Sequence, residues 1–414
     1  MTRRLLLFAN SFPYGKQEPY LLREAHYYDA FDEVYIFALS IRPHQKDSIR
    51  NLPLGRIRVI PIHFKPHAYY ALNALTIITT PALWKELKEL RRTNRLSGPR
   101  LVQALSQFSR AAHESRVIRR FVKQNISSDH SDTNVLYAYR FLYQPYLMSR
   151  VADLFPSARL IGRAHGIDLF EERSSTCYLP GRTINLEMLD ELHMVSEHGA
   201  QYLRSKHPDF ADKIHVSYLG TEDQGVRPPR DPHGPLRIVS CSGVVGVKRL
   251  TLLAEALRLL PGGVRVQWDH YGDGDGLPEL EQNVANLPDH VSVRLHGWTA
   301  NDEVLQAYRE GRHDVFVNVS SSEGLPVSIM ESSSCGLPTI ATAVGGTGEI
   351  VQDGHNGILL SANPSPSEVT AAIHRMATMG LDEYAHWSAN ARARWEASFD
   401  SNVNYRRFID GLLA

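Results

Sequence analysis

Cysteine is scarce, with Cys177, Cys241 and Cys335 scattered through 414 residues. An odd, dispersed set makes neither a disulfide framework nor a zinc-ligand spacing, which favours a reducing compartment. Net charge is lacking too, since 45 Lys plus Arg balance 45 Asp plus Glu. Such a chain gives no general reason to expect nucleic-acid binding, and any attraction to anions must be local. Long apolar runs are also missing. Leu5-Leu-Leu-Phe-Ala9 follows Arg3 and Arg4, but it is too short for a signal h-region and no cleavage site follows it. It reads as a first strand. No stretch reaches transmembrane length without polar interruption. These absences predict a cytoplasmic protein that is at most peripheral on the inner face of the membrane.

What is present is an ordinary globular composition, 43% hydrophobic and 22% charged, in a chain too long for one core. Short apolar, β-rich runs predict strands over 4–10, 33–39, 57–62, 134–139, 158–165, 191–196 and 213–219. After Gly225–Pro235, which holds four prolines in eleven residues, the rhythm restarts over 236–242, 265–272, 291–297, 314–319, 338–344 and 357–360. Mixed helical segments lie between the strands, as in βαβ units with a parallel sheet covered on both faces. The first helix after the proline stretch carries a clear stripe, Leu250, Leu253, Ala254, Leu257 and Leu260. The expected organisation is a first domain over 1–225, a linker over 226–235 and a second domain over 236–397. The terminal helix, 398–414, either caps the second domain or returns to the first.

One segment breaks the rhythm. Residues 68–84 are apolar, and Lys85, Lys88, Arg91, Arg92, Arg95 and Arg100 follow against only Glu86 and Glu89. Such a segment, 68–100, can dock on an anionic membrane surface or pack as ordinary helices with a solvated basic face.

The chemistry is concentrated in Ser320–Glu331. An apolar strand leads into a loop carrying Glu323, a helix opens at about Pro326, and Glu331 lies one turn inside it. The N–H groups of Gly324, Leu325 and Val327 then point from a helix N-terminus, where an anion or hydroxyl can bind. Three other turns leave strands. Ser242–Arg249 holds Gly243, Lys248 and Arg249, but Val247 and Arg249 stand where a Walker A loop needs Gly and Ser/Thr. Val344–Ile350 brings Gly345 and Gly346, suited either to a diphosphate or simply to a tight turn. Asp273 and Asp275 form an Asp-x-Asp pair without the remaining positions of a calcium loop, so no metal is expected there. In the first domain Arg163-Ala-His165-Gly-Ile-Asp168 ends a strand, on the edge where open α/β sheets collect ligands.

Taken together and in this order, these pieces resemble the retaining glycosyltransferases of family 4, which have the GT-B fold. The matching residues are Arg163–Asp168, Val195-Ser-Glu-His-Gly199, the Lys248 turn, Gly272-Asp-Gly274, Glu323–Glu331 and Gly345-Gly346 with Glu349. Phe12-Pro-Tyr-Gly15 with Glu18-Pro-Tyr20 is similar to members that build bacterial surface polysaccharides. The resemblance implies two doubly wound Rossmann-like domains facing across a cleft, with a nucleotide-sugar donor on the second and a glycan or lipid-linked acceptor on the first. It also implies retention without a metal or other cofactor. Glu331 would hold the ribose diol; Glu323, Gly324 and Leu325 the donor sugar; and Lys248 with the turn at Gly346 the diphosphate. His165 would orient the sugar near the anomeric carbon, and Tyr14, Glu18, Arg163 and Asp168 are the acceptor-side candidates. One position departs from the family, which usually has arginine five residues before the phosphate lysine, where this chain has Gly243. Arg249 would have to compensate. The departure keeps a non-catalytic sugar-nucleotide or glycan binder in view, and a GT-B epimerase would need acidic groups in the first domain that the sequence does not identify.

Overall fold

The computed structural model describes every residue except Met1, His67, Ala68, Ala71, Leu72, Ser128 and Ala414. The chain divides into two compact units, Met1–Ser217 with Tyr405–Ala414, and Tyr218–Asn404. The first contains β1 (Arg3–Ala9), β2 (Glu33–Ile41), β3 (Ile57–His63), β4 (Thr133–Ala138), β5 (Arg159–Ala164), β6 (Glu191–Met194) and β7 (Ile214–Val216). They form one parallel sheet in the order β3-β2-β1-β4-β5-β6-β7. The second contains β8 (Leu236–Cys241), β9 (Val266–Tyr271), β10 (Val291–Leu295), β11 (Val315–Asn318), β12 (Thr339–Thr342) and β13 (Gly357–Leu360). These too are parallel, in the order β10-β9-β8-β11-β12-β13. Both sheets are doubly wound and Rossmann-like.

The unbroken apolar run of β1 follows from this architecture. Leu5, Leu7 and Ala9 enter the core on one face, with Phe12 and Phe408, while Leu6 and Phe8 enter the other, with Phe37 and Leu136. A strand covered on both faces has no polar side to alternate with. The leucine stripe behaves as its spacing predicts, since helix Leu250–Arg258 buries Leu250, Leu253, Ala254 and Leu257. Sequence order reverses between β1 and β4 in the first sheet and between β8 and β11 in the second. These are the switch points where the loops at strand C-termini part and leave room for a ligand.

The stretch expected as a linker packs on the second unit instead. Arg227 is buried, donates to Tyr384 Oη and to the His313 carbonyl (3.4 Å), and Arg230 donates to the Met376 carbonyl at 2.9 Å. Two guanidiniums that stack on Tyr384 make the proline-rich segment part of a surface. The crossing between units falls earlier, and β7 is shorter than the 213–219 run. Past the end of β7, Gly220 lies against Ser401, where a Cβ would come within 2.3 Å of the Ser401 Cα, and Thr221 forms a bridge with Asp400 just before the terminal helix. That helix, Ser401–Leu413, starts in the second unit and places Phe408, Ile409 and Leu412 in the core of the first.

Within 68–100, Ala68, Ala71 and Leu72 lie outside the described residues. The remainder holds helix Pro81–Arg92 and the start of helix Gly98–Asn125. Among the described residues no helix is long and apolar enough to cross a membrane.

Candidate functional site

In the second unit the loops after β8 and β11 flank the switch point and are tied together, the Ser321 N–H donating to the Val247 carbonyl at 2.8 Å. Each loop presents one charged side chain to the other. Lys248 Nζ lies 2.7 Å from Glu323 Oε1, with side chains 26% and 11% exposed. Asn318, the last residue of β11, donates to the same oxygen at 3.2 Å, and its Oδ1 accepts the Ser320 N–H at 3.0 Å. The carboxylate of Glu323 is therefore aimed by a strand end, which is rigid, although it sits in a loop.

Helix Val327–Ser334 begins just after Pro326, and Gly336 at φ +76° follows its end. Glu331 is nearly buried on this helix and accepts from Asn301 Nδ2 at 3.2 Å. The Cys241 thiol at the end of β8 is pushed up to about 12, by burial first and then by the negative charge of Glu331. Glu331 thus stands at the C-terminal edge of the sheet, between β8 and the start of helix Asn301–Arg309. The Gly324 and Leu325 N–H groups donate to no other group among the described residues, and Val327 opens the helix with its N–H unpaired by geometry.

Two expectations change in this unit. Arg249 is not a second phosphate cation, because its guanidinium clasps main chain. It donates to the carbonyls of Val319 (2.6 Å), Ser320 (2.9 Å) and Ala362 (3.2 Å), and to Asn363 Oδ1 (3.0 Å). A planar five-donor group that meets several carbonyls is more use as a clasp than as a mobile charge. Gly346 likewise spends its N–H on the Gly324 carbonyl at 2.8 Å, so that donor is not aimed at a ligand. Its turn serves by closeness. Gly345, at φ +56°, lies so near the Glu323 carbonyl that a Cβ would come within 2.0 Å of the oxygen. The glycines let this turn buttress the Glu323–Gly324 loop. Asp273 and Asp275 sit in a turn held by Val244 N–H to the Asp273 carbonyl, 2.9 Å, and Gly276 N–H to the Val244 carbonyl, 3.0 Å.

In the first unit the candidates gather at the ends of β1, β4 and β5. Glu18 is buried, and its carboxylate accepts the N–H groups of Asn10 (2.9 Å), Ser11 and Phe12 (both 3.0 Å). Asp168 is buried too, accepting from the N–H groups of Phe141 (2.7 Å) and His165 (2.8 Å). Burial acts to raise its carboxyl, but the nearby His165 imidazole, the charge of Arg140 and the Phe141 N–H together hold it below the usual range. Arg140 lies 3.6 Å from Glu18 and 3.7 Å from Asp168, joining the two loops. Arg163 is wholly buried, paired with Glu24 and covered by Phe408, its guanidinium carbon 4.6 Å from the ring centroid. As an acceptor-side residue it is corrected to a core ion pair. Glu18 and Asp168 are corrected to loop fasteners, since their oxygens are spent on main-chain N–H groups.

His165 is different. It lies 4.6 Å from the Tyr139 ring, its side chain is 13% exposed, and neither ring nitrogen has a hydrogen-bond partner among the described residues. Nδ1 is 3.8 Å from Asp168 Oδ2, too long for a hydrogen bond. Burial lowers its pKa, favouring a neutral ring with one donor and one acceptor. Tyr14 stands partly exposed in the loop after β1, in a bridge to Ile49.

Asn318, Asn301 and Arg140 were not singled out in the sequence. Asn318 and Arg140 each end or follow a strand at a switch point, which is the signal that could have found them. Asn301 has none, because its partner Glu331 is thirty residues away.

Residues 236–379 match the family model described as Glycosyl transferases group 1. The amylovoran biosynthesis glycosyltransferase AmsK of Erwinia amylovora is 29% identical over 210 residues, 48% of this chain and 50% of that one. The chain thus spans about half the length of that curated relative. Among solved structures, Anabaena HepE in complex with UDP superposes with a TM-score of 0.67 at 17% identity, covering 99% of each chain. The apo lipopolysaccharide outer core galactosyltransferase WaaB does so with a TM-score of 0.71 at 14% identity, covering 99% of this chain and 98% of that one. The chain has the fold of the GT-B glycosyltransferases, and its second unit carries the sequence pattern of the group 1 glycosyl transferases.

Proposed function

We propose that this chain is a retaining glycosyltransferase of surface-polysaccharide synthesis, moving a sugar from a nucleotide-sugar to a glycan or lipid-linked glycan. The observation that carries the reading is the Lys248–Glu323 pair at the second switch point, beside the helix that bears Glu331. In this reading the anomeric C–O bond to the diphosphate breaks and a bond to the acceptor hydroxyl forms on the same face, the acceptor's proton passing to the leaving phosphate. Lys248 opposes the charge that develops on that phosphate, the kind of interaction that strengthens in the transition state. Glu323 and the N–H groups of Gly324 and Leu325 hold sugar hydroxyls. Glu331, aimed by Asn301, accepts both hydrogens of the ribose diol. His165 is also assigned to the sugar, its ring nitrogens having no hydrogen-bond partner among the described residues. No metal is needed where lysine and main-chain N–H groups meet the diphosphate.

Anabaena HepE was solved with UDP and with UDP-glucose, which makes uridine donors the first to try. The test is release of nucleoside diphosphate from UDP-, GDP-, ADP- and dTDP-sugars with a glycan-lipid acceptor. One donor class should turn over, and Glu331→Ala should lower its turnover more than about tenfold. Donor binding without turnover in a single-turnover assay, with an authentic acceptor, would instead support the non-catalytic binder that Gly243 keeps in view.

A further inference from the structure

Helix Pro81–Arg92 turns two different faces to its surroundings. Leu83, Glu86 and Leu90 point inward and are buried. Trp84, Lys88 and Arg91, at i, i+4 and i+7, form an outward stripe flanked by Lys85 and Arg92. At the N-terminal end of that stripe the exposed residues are apolar. Trp84 is 56% exposed, and its indole N–H donates to the Ile78 carbonyl at 2.5 Å. Ile78 is 47% exposed and Leu75 70%. The indole's one polar group is already satisfied inside the protein, so the ring can leave water without losing a hydrogen bond.

The cations beside this tip are of two kinds. Lys85 pairs with Glu187 and Arg92 with Glu89. Lys88 and Arg91 are exposed and form no ion pair among the described residues. We propose that Leu75, Ile78 and Trp84, with Lys88 and Arg91, form a docking surface for an anionic lipid bilayer. Aliphatic and indole groups enter the interfacial zone while the long cationic side chains reach the headgroups, a division of labour suited to a membrane plane. The complementary charge is what selects the occupant, because an apolar protein partner would give Lys88 and Arg91 nothing to pair with.

The position of this surface is useful to the proposed reaction but does not depend on it. Arg95, just beyond the helix, pairs with Glu171 at 3.0 Å, three residues after Asp168. The docking helix is therefore fastened to the loop that carries His165 and Asp168, and a lipid-linked acceptor would be delivered to that edge of the first sheet.

The experiment is flotation of the full chain with phosphatidylcholine vesicles, with and without about a third phosphatidylglycerol, at low and high salt. The chain should float with the anionic vesicles at low salt and remain behind with neutral ones. Lys88→Glu with Arg91→Glu should cut the bound fraction about tenfold, as should Ile78→Ser with Trp84→Ser, with the melting temperature unchanged for the charge pair. Absence of flotation, or equal flotation of wild type and the charge variant, overturns the proposal. So does light scattering that shows a dimer abolished by Ile78→Ser, which would assign the patch to a second copy. Nucleoside diphosphate release with a short, detergent-free acceptor decides sugar transfer separately, so either idea can fail alone.

Discussion

Lys248 Nζ and Glu323 Oε1 meet at 2.7 Å across the second switch point, joining the loop after β8 to the loop after β11. The lysine expected to face phosphate and the carboxylate expected to face sugar are thus preset by each other. Because both side chains keep some contact with water, the pair adds only about 0–1 kcal/mol to stability. Its worth to a reaction is larger, since a cation facing a leaving diphosphate acts mainly on the transition state. Lys248→Met is expected to lower turnover about a hundredfold while shifting the unfolding midpoint little. Steady-state kinetics beside a denaturation curve checks this. An equal loss of stability and activity would make the pair a structural clasp.

The turn at Gly345 gives a sharper steric case. A methyl group there would require φ near +56° and a Cβ 2.0 Å from the Glu323 carbonyl oxygen. Gly345→Ala must therefore displace the loop that positions Glu323, at a cost of about 1–3 kcal/mol if the strain is held. Gly348, three residues on, has only Leu359 Cδ1 at 3.9 Å from its would-be Cβ. Gly348→Ala should keep near-wild-type turnover and stability, whereas Gly345→Ala should lose at least about tenfold in turnover. Similar behaviour of the two variants would remove the buttressing role.

The contrast between those glycines marks where sequence reading stops. Strand positions, the leucine stripe and the helix boundaries at Pro326 and Gly336 were legible because periodicity and turn chemistry are local. Lys248 and Glu323 were legible as loop residues after strands, although their contact spans 75 positions. Arg163 and Arg249 were misplaced for a physical reason. An arginine in a motif looks available for a ligand, yet the sequence does not reveal that Glu24, 139 residues away, neutralises one and that carbonyls of a neighbouring loop occupy the other. The role of Gly346 failed likewise, because a glycine turn that cradles phosphate and one that leans on a neighbouring carbonyl share the same residues.

Burial of His270 predicts a pH dependence of folding. The ring is fully buried, with Nδ1 2.8 Å from Ser240 Oγ, and burial lowers its pKa from 6.5 to about 4. On acidification the unfolded chain takes up this proton first, so the contribution is intact above pH 6.5 and is lost as pH falls through the window down to about 4. The interval corresponds to about 3 kcal/mol for this one group. His270→Gln should therefore lose less stability than wild type between pH 7.5 and 4.5, measured by urea unfolding, because every other titrating group is common to both chains. Parallel pH profiles would mean that the ring is protonated where it stands.

Gly243 bears on whether the diphosphate grip is complete. An added Cβ there would have the Asp273 carbonyl at 3.6 Å as its nearest neighbour, and the residue itself is exposed. A long side chain can therefore be accommodated without moving the turn. Arg249 cannot serve as the missing cation while it holds Val319, Ser320, Ala362 and Asn363. If Lys248 alone opposes the leaving group, Gly243→Arg should raise turnover by roughly ten- to a hundredfold, the worth of one electrostatic donor, and leave stability unchanged. A gain in donor affinity without a gain in turnover would place the new guanidinium on the ground-state diphosphate only. No gain in either would show that the Lys248 turn holds its ligand in a way that leaves position 243 outside the phosphate's reach.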